Sequence, residues 1–264
     1  MDREPAVAGR FYPGRKDDLA REAGALLADT SRVAPAVAVL APHAGYMYSG
    51  RVAGATYARV DVPERVVVLC PNHTGLGERV ALWPGGAWRT PLGSVPIDAE
   101  LTAALRACPG VREDRTAHLA EHALEVQLPF LQVRNPSFTL AALCLGPLSA
   151  GDAEALGEAI GAVLGDHPAL LVASSDMSHY VPAAVARRQD HRALDRVLAL
   201  DARGLHEVVR AERISMCGVV PATVMLAAAR ARGARAAEIV AYATSGDVTG
   251  DDASVVGYAG AIVA

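Results

Sequence analysis

Val39-Leu40-Ala41-Pro42-His43 and Val68-Leu69-Cys70-Pro71-Asn72-His73 follow one plan: an apolar run stops at a proline, and a histidine comes next. Leu171-Val172-Ala173-Ser174-Ser175-Asp176-Met177-Ser178-His179 repeats the plan without the proline. Apolar runs of strand length suit strands covered on both faces, as in parallel sheets. Open α/β sheets bind ligands outside the carboxyl ends of their strands. The expectation is that three parallel strands end side by side and their loops bring His43, His73 and His179 into one crevice.

Outward from these stretches the chain alternates strand and helix signals. Residues 17–28 carry Leu19, Ala23, Leu26 and Leu27 at helical spacing. A strand over 36–41 leads through a loop to a helix over 51–59, with Ser49 as its expected cap. A strand over 65–70 completes a β-loop-α-β unit. Between Gly75 and Ile97, short β-prone pieces broken by Gly and Pro predict a hairpin-like excursion at one edge. Asp98 is placed to cap a helix through Ala107. Helical spacing over 121–132 predicts one helix, kinked where Pro129 removes a hydrogen bond. Further strands are expected over 138–145, 170–173, 238–243 and 254–263, and helices over 152–164, 183–200, 204–211 and 221–232. No linker or repeat interrupts this order. The pattern predicts a single domain over residues 1–264, a three-layer α/β/α sandwich with a mostly parallel sheet.

The chain of 264 residues is long enough to bury a sizeable core. Its net charge of −4, with no basic patch, argues against a nucleic-acid partner. No apolar run approaches the length needed to cross a bilayer, and the N-terminal residues lack the apolar segment of a signal peptide. The expected compartment is the cytoplasm, without membrane attachment. Cys70, Cys108, Cys144 and Cys217 are widely separated and include no C-x-x-C pair, so free thiols are expected. There is no P-loop motif, and Gly75-Leu76-Gly77 lacks the third glycine of a dinucleotide fingerprint.

The chemistry concentrates on His43 and His73. Neutral imidazole is the commonest metal ligand, and a pair suits Fe, Zn or Cu better than the oxygen-seeking Mg or Ca. Cys217 is the candidate third ligand, because Gly218 and a helix start follow it and a helix N-terminus favours thiolate. Such a set leaves coordination positions open. His179 is a candidate ligand or general acid/base, with Asp176 in position to orient an imidazole. Another motif competes: His118-Leu119-Ala120-Glu121-His122 matches the inverted zincin pattern, which needs both histidines on one helix face. His191 has Asp195 one turn on and reads as a solvated helix face, and His167 and His206 read as surface.

Seven motifs then occur in order: residues 5–13 (Pro5 to Pro13), Ala41-Pro42-His43-Ala44-Gly45-Tyr46, Pro71-Asn72-His73, Arg89-Thr90-Pro91-Leu92-Gly93, residues 121–129 (Glu121 to Pro129), residues 174–179 (Ser174 to His179) and Met216-Cys217-Gly218. Together, from about Arg3 to the C-terminus, they resemble the Memo family, whose bacterial and archaeal members are named AmmeMemoRadiSam system protein B. The resemblance implies a fold similar to class III extradiol dioxygenases, the non-haem iron enzymes of the LigB type. It implies a metal site on His43, His73 and Cys217, with His179 close by as acid/base and Glu121 and His122 lining the same cleft. The family's name implies an AMMECR-type protein and a radical SAM enzyme as partners. The dioxygenases have a carboxylate where this chain has Cys217, a softer and redox-active donor. Thr74 and Gln127 stand where some members carry histidine.

The reading that emerges is a metal-binding protein, Fe(II) first with Cu or Zn as alternatives, and an oxidoreductase of dioxygenase-like type. Tyr46, Glu121 and His122 would shape its substrate side, and the ligand of the cleft would be a small molecule or a peptide. A peptide- or protein-binding module that uses the same cleft, and a zinc-dependent hydrolase, are the competing readings.

Overall fold

A computed structural model describes residues 1–28 and 33–264. In chain order the elements are α1 (Lys16–Leu26), β1 (Ala38–Ala41), α2 (Tyr46–Ala58), β2 (Arg65–Pro71), β3 (Val80–Leu82), β4 (Ala87–Thr90), β5 (Gly93–Pro96), α3 (Ala99–Leu105), β6 (Arg112–Glu113), α4 (Thr116–Leu119), a 3₁₀ turn (Glu125–Gln127), α5 (Leu128–Arg134), β7 (Thr139–Leu145), α6 (Ala150–Asp166), β8 (Leu170–Ser174), β9 (His179–Val181), α7 (Ala183–Leu198), α8 (Ala202–Ala211), α9 (Val219–Ala231), β10 (Ala237–Thr244), α10 (Gly246–Thr249) and β11 (Val255–Val263). None of these helices is long and apolar enough to cross a membrane.

The main sheet runs β10-β11-β1-β8-β2-β7-β3-β6, and β9 hangs from β11. Its middle, β1-β8-β2-β7, is parallel, with Ala41 beside Ser174 and Leu69 beside Ala173. The flanks turn antiparallel, through β11 on β1 and β3 on β7. The three apolar runs are therefore neighbours that end at one rim, as their sequences predict.

Successive side chains of a strand point to opposite faces, and the core divides on that period. Leu40, Leu69, Leu143 and Leu171 pack with α3 and α6–α9, whereas Val39, Val68, Ala142 and Val172 pack with α1, α2 and α5. This is the three-layer α/β/α sandwich with a mostly parallel sheet. Apart from Arg65 and Thr139 at the first positions of β2 and β7, all residues of these four strands are buried, which is why their sequences show apolar runs rather than alternation.

Several local expectations are corrected. Helix α2 starts at Tyr46 with Gly45 as its cap residue, and Ser49 lies inside it with its hydroxyl donating to the Ala44 carbonyl (2.8 Å). No single kinked helix covers 121–132. The chain makes a 3₁₀ turn and then starts α5 with Pro129 in its first turn, where the missing N–H removes no intrahelical bond. Strand β3 joins the main sheet, so only β4 and β5 form the excursion's hairpin. Asp98 caps α3 as expected, accepting from the Leu101 N–H at 2.9 Å.

Candidate metal centre at the carboxyl rim of the sheet

His43 stands two residues beyond β1, His73 two residues beyond β2, and Cys217 just before α9. One ligand atom from each can be chosen so that all lie within 4.8 Å of one another. The His43 and His73 ring centroids are 5.2 Å apart, and Cys217 Sγ is 3.3 Å from His43 Nε2.

Hydrogen bonds set the ring tautomers. Ser174 Oγ–H donates to the Ala123 carbonyl at 2.7 Å, and a carbonyl can only accept. The hydroxyl's other neighbours, Gln127 Nε2 at 2.9 Å and His43 Nδ1 at 2.8 Å, must then donate to it. His43 thus carries its proton on Nδ1 and turns the lone pair of Nε2 toward Cys217. His73 follows the same scheme with a carboxylate, since its Nδ1–H donates to Glu121 Oε1 at 2.9 Å. Histidines that bind metals characteristically donate their other nitrogen to such a partner. The donor set therefore fits a cation of the Fe, Cu or Zn class.

Electrostatics agree. Burial, helped by His122 and His73, holds His43 well below its ordinary value and keeps it neutral. Burial raises the Glu121 carboxyl, but the His73 ring and the backbone N–H groups of Ala123 and His73 together bring it down to about 2. Burial lowers His73, and its bond to Glu121 more than offsets this, for a net rise. Burial and the nearby Asp176 carboxylate push the Cys217 thiol well up, despite the Asp176 N–H that donates to its sulfur at 3.3 Å. The expectation of a thiolate supported by the helix start is thus corrected: without a cation Cys217 is a thiol facing His43 Nε2.

Cys217 is brought to the rim by the residue after it. A Cβ at position 218 would sit 2.4 Å from the Ser174 carbonyl oxygen and 2.4 Å from Ser175 Cβ, so only glycine lets this loop approach β8. The Gly218 N–H donates to Ser175 Oγ at 3.0 Å and fastens the approach.

A profile of Memo-like proteins matches residues 3–262. The chain belongs to the Memo family. MEMO1 family proteins of Methanopyrus kandleri and Aquifex aeolicus are 45% and 44% identical to it, each aligned over 98% of both chains. A solved structure of an uncharacterized protein from Escherichia coli covers 85% of this chain and 98% of its own, with a TM-score of 0.57 and 15% identity. That likeness speaks for the fold alone.

The Memo-family chain places its other predicted residues unevenly. His122 reaches the site: its ring stacks on His73 at 4.8 Å and meets His43 edge-on at 5.4 Å. Glu121 is buried behind the rim as the partner of His73 rather than on an open substrate face. His179 is half-buried, and its Nδ1–H donates to the Ser215 carbonyl at 2.9 Å, leaving Nε2 free. Asp176 does not bond the His179 ring; it accepts the His43 backbone N–H at 2.8 Å and so fixes the loop that carries His43. Tyr46 is buried, stacked on Phe130 at 4.5 Å, with its hydroxyl donating to the Val126 carbonyl at 3.0 Å. It belongs to the core below the site.

The inverted zincin pattern forms no site. Helix α4 ends at Leu119, and His118 is fully buried between Trp83 and Trp88 with its Nε2–H donating to the Ala81 carbonyl at 3.1 Å. Burial pushes it down to about 4. His206, expected at the surface, is buried too, with Nε2–H donating to the Leu148 carbonyl at 3.2 Å. The four cysteines are free thiols, as expected.

Ser174, Gln127, Ser215 and Phe11 also belong to this neighbourhood, and the sequence reading assigned none of them a role in it. Phe11 lies 4.7 Å from the His122 ring, brought by the N-terminal arm. Gln127 had a readable signal: an amide among Leu124, Val126 and Leu128 is a buried polar group that needs partners. It finds them in Tyr57, Pro42 and Ser174.

Proposed function

We propose that this chain acts as one domain over residues 1–264 and binds one divalent ion through His43, His73 and Cys217, as an oxidoreductase on a substrate held at the rim. The observation that carries the reading is the convergence of three softer donors within 4.8 Å, two of them already in the tautomer a metal requires. Iron(II) is preferred on the resemblance to non-haem iron dioxygenases, and Cu and Zn share the donor chemistry. A bound redox-active ion supplies electron transfer to or from the substrate. The residues do the rest. Ser174 and Glu121 hold the imidazoles in aim, and Cys217 gives up its proton when it binds, which makes affinity rise with pH. His179, fixed through Ser215, holds or moves a proton at Nε2, while His122 and Phe11 wall the opening. AMMECR-type and radical SAM proteins are the proposed partners, in the cytoplasm.

The test is iron(II) titration of anaerobically purified protein, with His43→Ala beside it. One equivalent bound per chain, lost in the variant, supports the reading. Undiminished binding by the variant overturns it. Loss of iron alone, with zinc still bound and with hydrolytic turnover abolished by chelation, would move the assignment to the zinc hydrolase.

A further inference from the structure

Cys217 also walls a cavity of about 380 Å³, at the small end of the range typical of ligand pockets. The cavity lies beyond the carboxyl ends of β2 and β7, where Pro71 and Leu145 leave the sheet, and α8 and α9 contribute Arg210 and Val220. Pro147 and Val219 extend the apolar wall.

Its polar groups are almost all committed elsewhere. The Asn72 amide donates to the Leu76 carbonyl, and its oxygen accepts from Thr74 and Gly75. His206 commits its Nε2–H to the Leu148 carbonyl at 3.2 Å. Cys217 faces His43. Arg210 is the exception: no ion pair among the described residues includes it. Its guanidinium is a planar fork that matches a carboxylate bidentately.

We propose that this cavity seats a linear aliphatic carboxylate, its chain along Pro147, Val219 and Val220 and its carboxylate on Arg210, beside the Cys217 sulfur. An alcohol of the same length would lack an ionic partner there, and an amine would be repelled. As a substrate assignment the proposal rests on the metal reading above; as a binding site it stands without it.

The experiment uses octanoate, octanol and octylamine as probes against the full chain, first metal-free and then loaded with cobalt(II), by calorimetric titration. Octanoate is expected to bind saturably, at least tenfold tighter than octanol or octylamine. Arg210→Gln, an exposed change to be checked for an intact fold by circular dichroism, is expected to weaken octanoate at least tenfold and leave octanol unchanged. In the cobalt-loaded protein, octanoate is expected to shift the sulfur-to-metal absorption band. No saturable binding, equal affinity for octanol, or indifference to Arg210→Gln overturns the site. Binding that leaves the cobalt band unmoved overturns its place beside the sulfur. Failure to load cobalt sinks the metal reading instead, and the metal-free titration still decides the cavity.

Discussion

Glu121 commits its whole carboxylate to one corner of the rim. One oxygen takes the His73 backbone N–H at 2.6 Å, and the other takes the His73 ring and the Ala123 N–H, both at 2.9 Å. Glu121→Gln keeps the shape but removes the charge that holds the His73 proton on Nδ1. Partners of this kind typically contribute about 10–100-fold to metal affinity, so that loss is expected in a competition titration with zinc. His118 makes a different prediction, about stability. Its folded value near 4 lies below the ~6.5 of an unfolded chain. Between these values the unfolded state binds a proton that the folded state refuses, so stability falls as the pH drops through that window. The loss is roughly 2 kcal/mol between pH 7 and pH 5. Urea unfolding at both pH values should show it, and His118→Gln should remove that part of the difference. An identical pH slope in the variant would rule this out. The pairing of His43 and His73 was legible because both follow buried strands. The burial of Tyr46 and His118 was not, because a polar tip says nothing about which side of a wall it lies on.

At the scale of elements, long features were readable and short ones were not. Strands β1, β2, β7 and β8 announce themselves by uninterrupted apolar runs. Strand β9, only three residues long, has no such signature, yet it presents His179. Its pairing with β11 slips by one residue: Val181 faces Val255, His179 faces Val256, and Tyr180 is left as the extra residue. Bulges recur next to active sites, where they re-aim a side chain. Tyr180 sits at φ 58° and is 80% exposed beside the His179 ring. A left-handed conformation costs a non-glycine residue roughly 1–2 kcal/mol. Tyr180→Gly should therefore unfold within about 1 kcal/mol of the parent despite losing an aromatic side chain, since relieved strain offsets the added freedom of the unfolded chain. A loss above about 2 kcal/mol would show that the ring packs rather than presents. The stretch 121–132 misled for a related reason. Its helical spacing is real, but Glu121 and Glu125 both turn inward to bind backbone and arm, and the helix waits until Leu128.

For the molecule as a whole, the N-terminal arm closes the structure from a distance no local pattern reveals. Arg3 is fully buried; it pairs with Glu125, donates to the carbonyls of His118 and Glu121, and lies 4.5 Å over the Trp88 ring. Glu125 also accepts the N–H groups of Ala6 and Val7 and the Tyr12 hydroxyl. The arm thus braces the segment that carries Glu121 and His122. Breaking one side of a buried pair typically costs 3–5 kcal/mol, because the other charge is left unpaired. Arg3→Met should show a loss of about that size in urea unfolding. Arg3→Met with Glu125→Gln should lose clearly less, and additive losses would contradict the pairing.

Cobalt(II) titration followed by absorption tests the central claim most directly, since it reports stoichiometry and ligand type together. The account predicts one equivalent per chain and a near-ultraviolet sulfur-to-metal band. Cys217→Ser should abolish the band, and His43→Ala or His73→Ala should weaken binding. Stoichiometric cobalt with no sulfur band, or binding unchanged by all three substitutions, would contradict it.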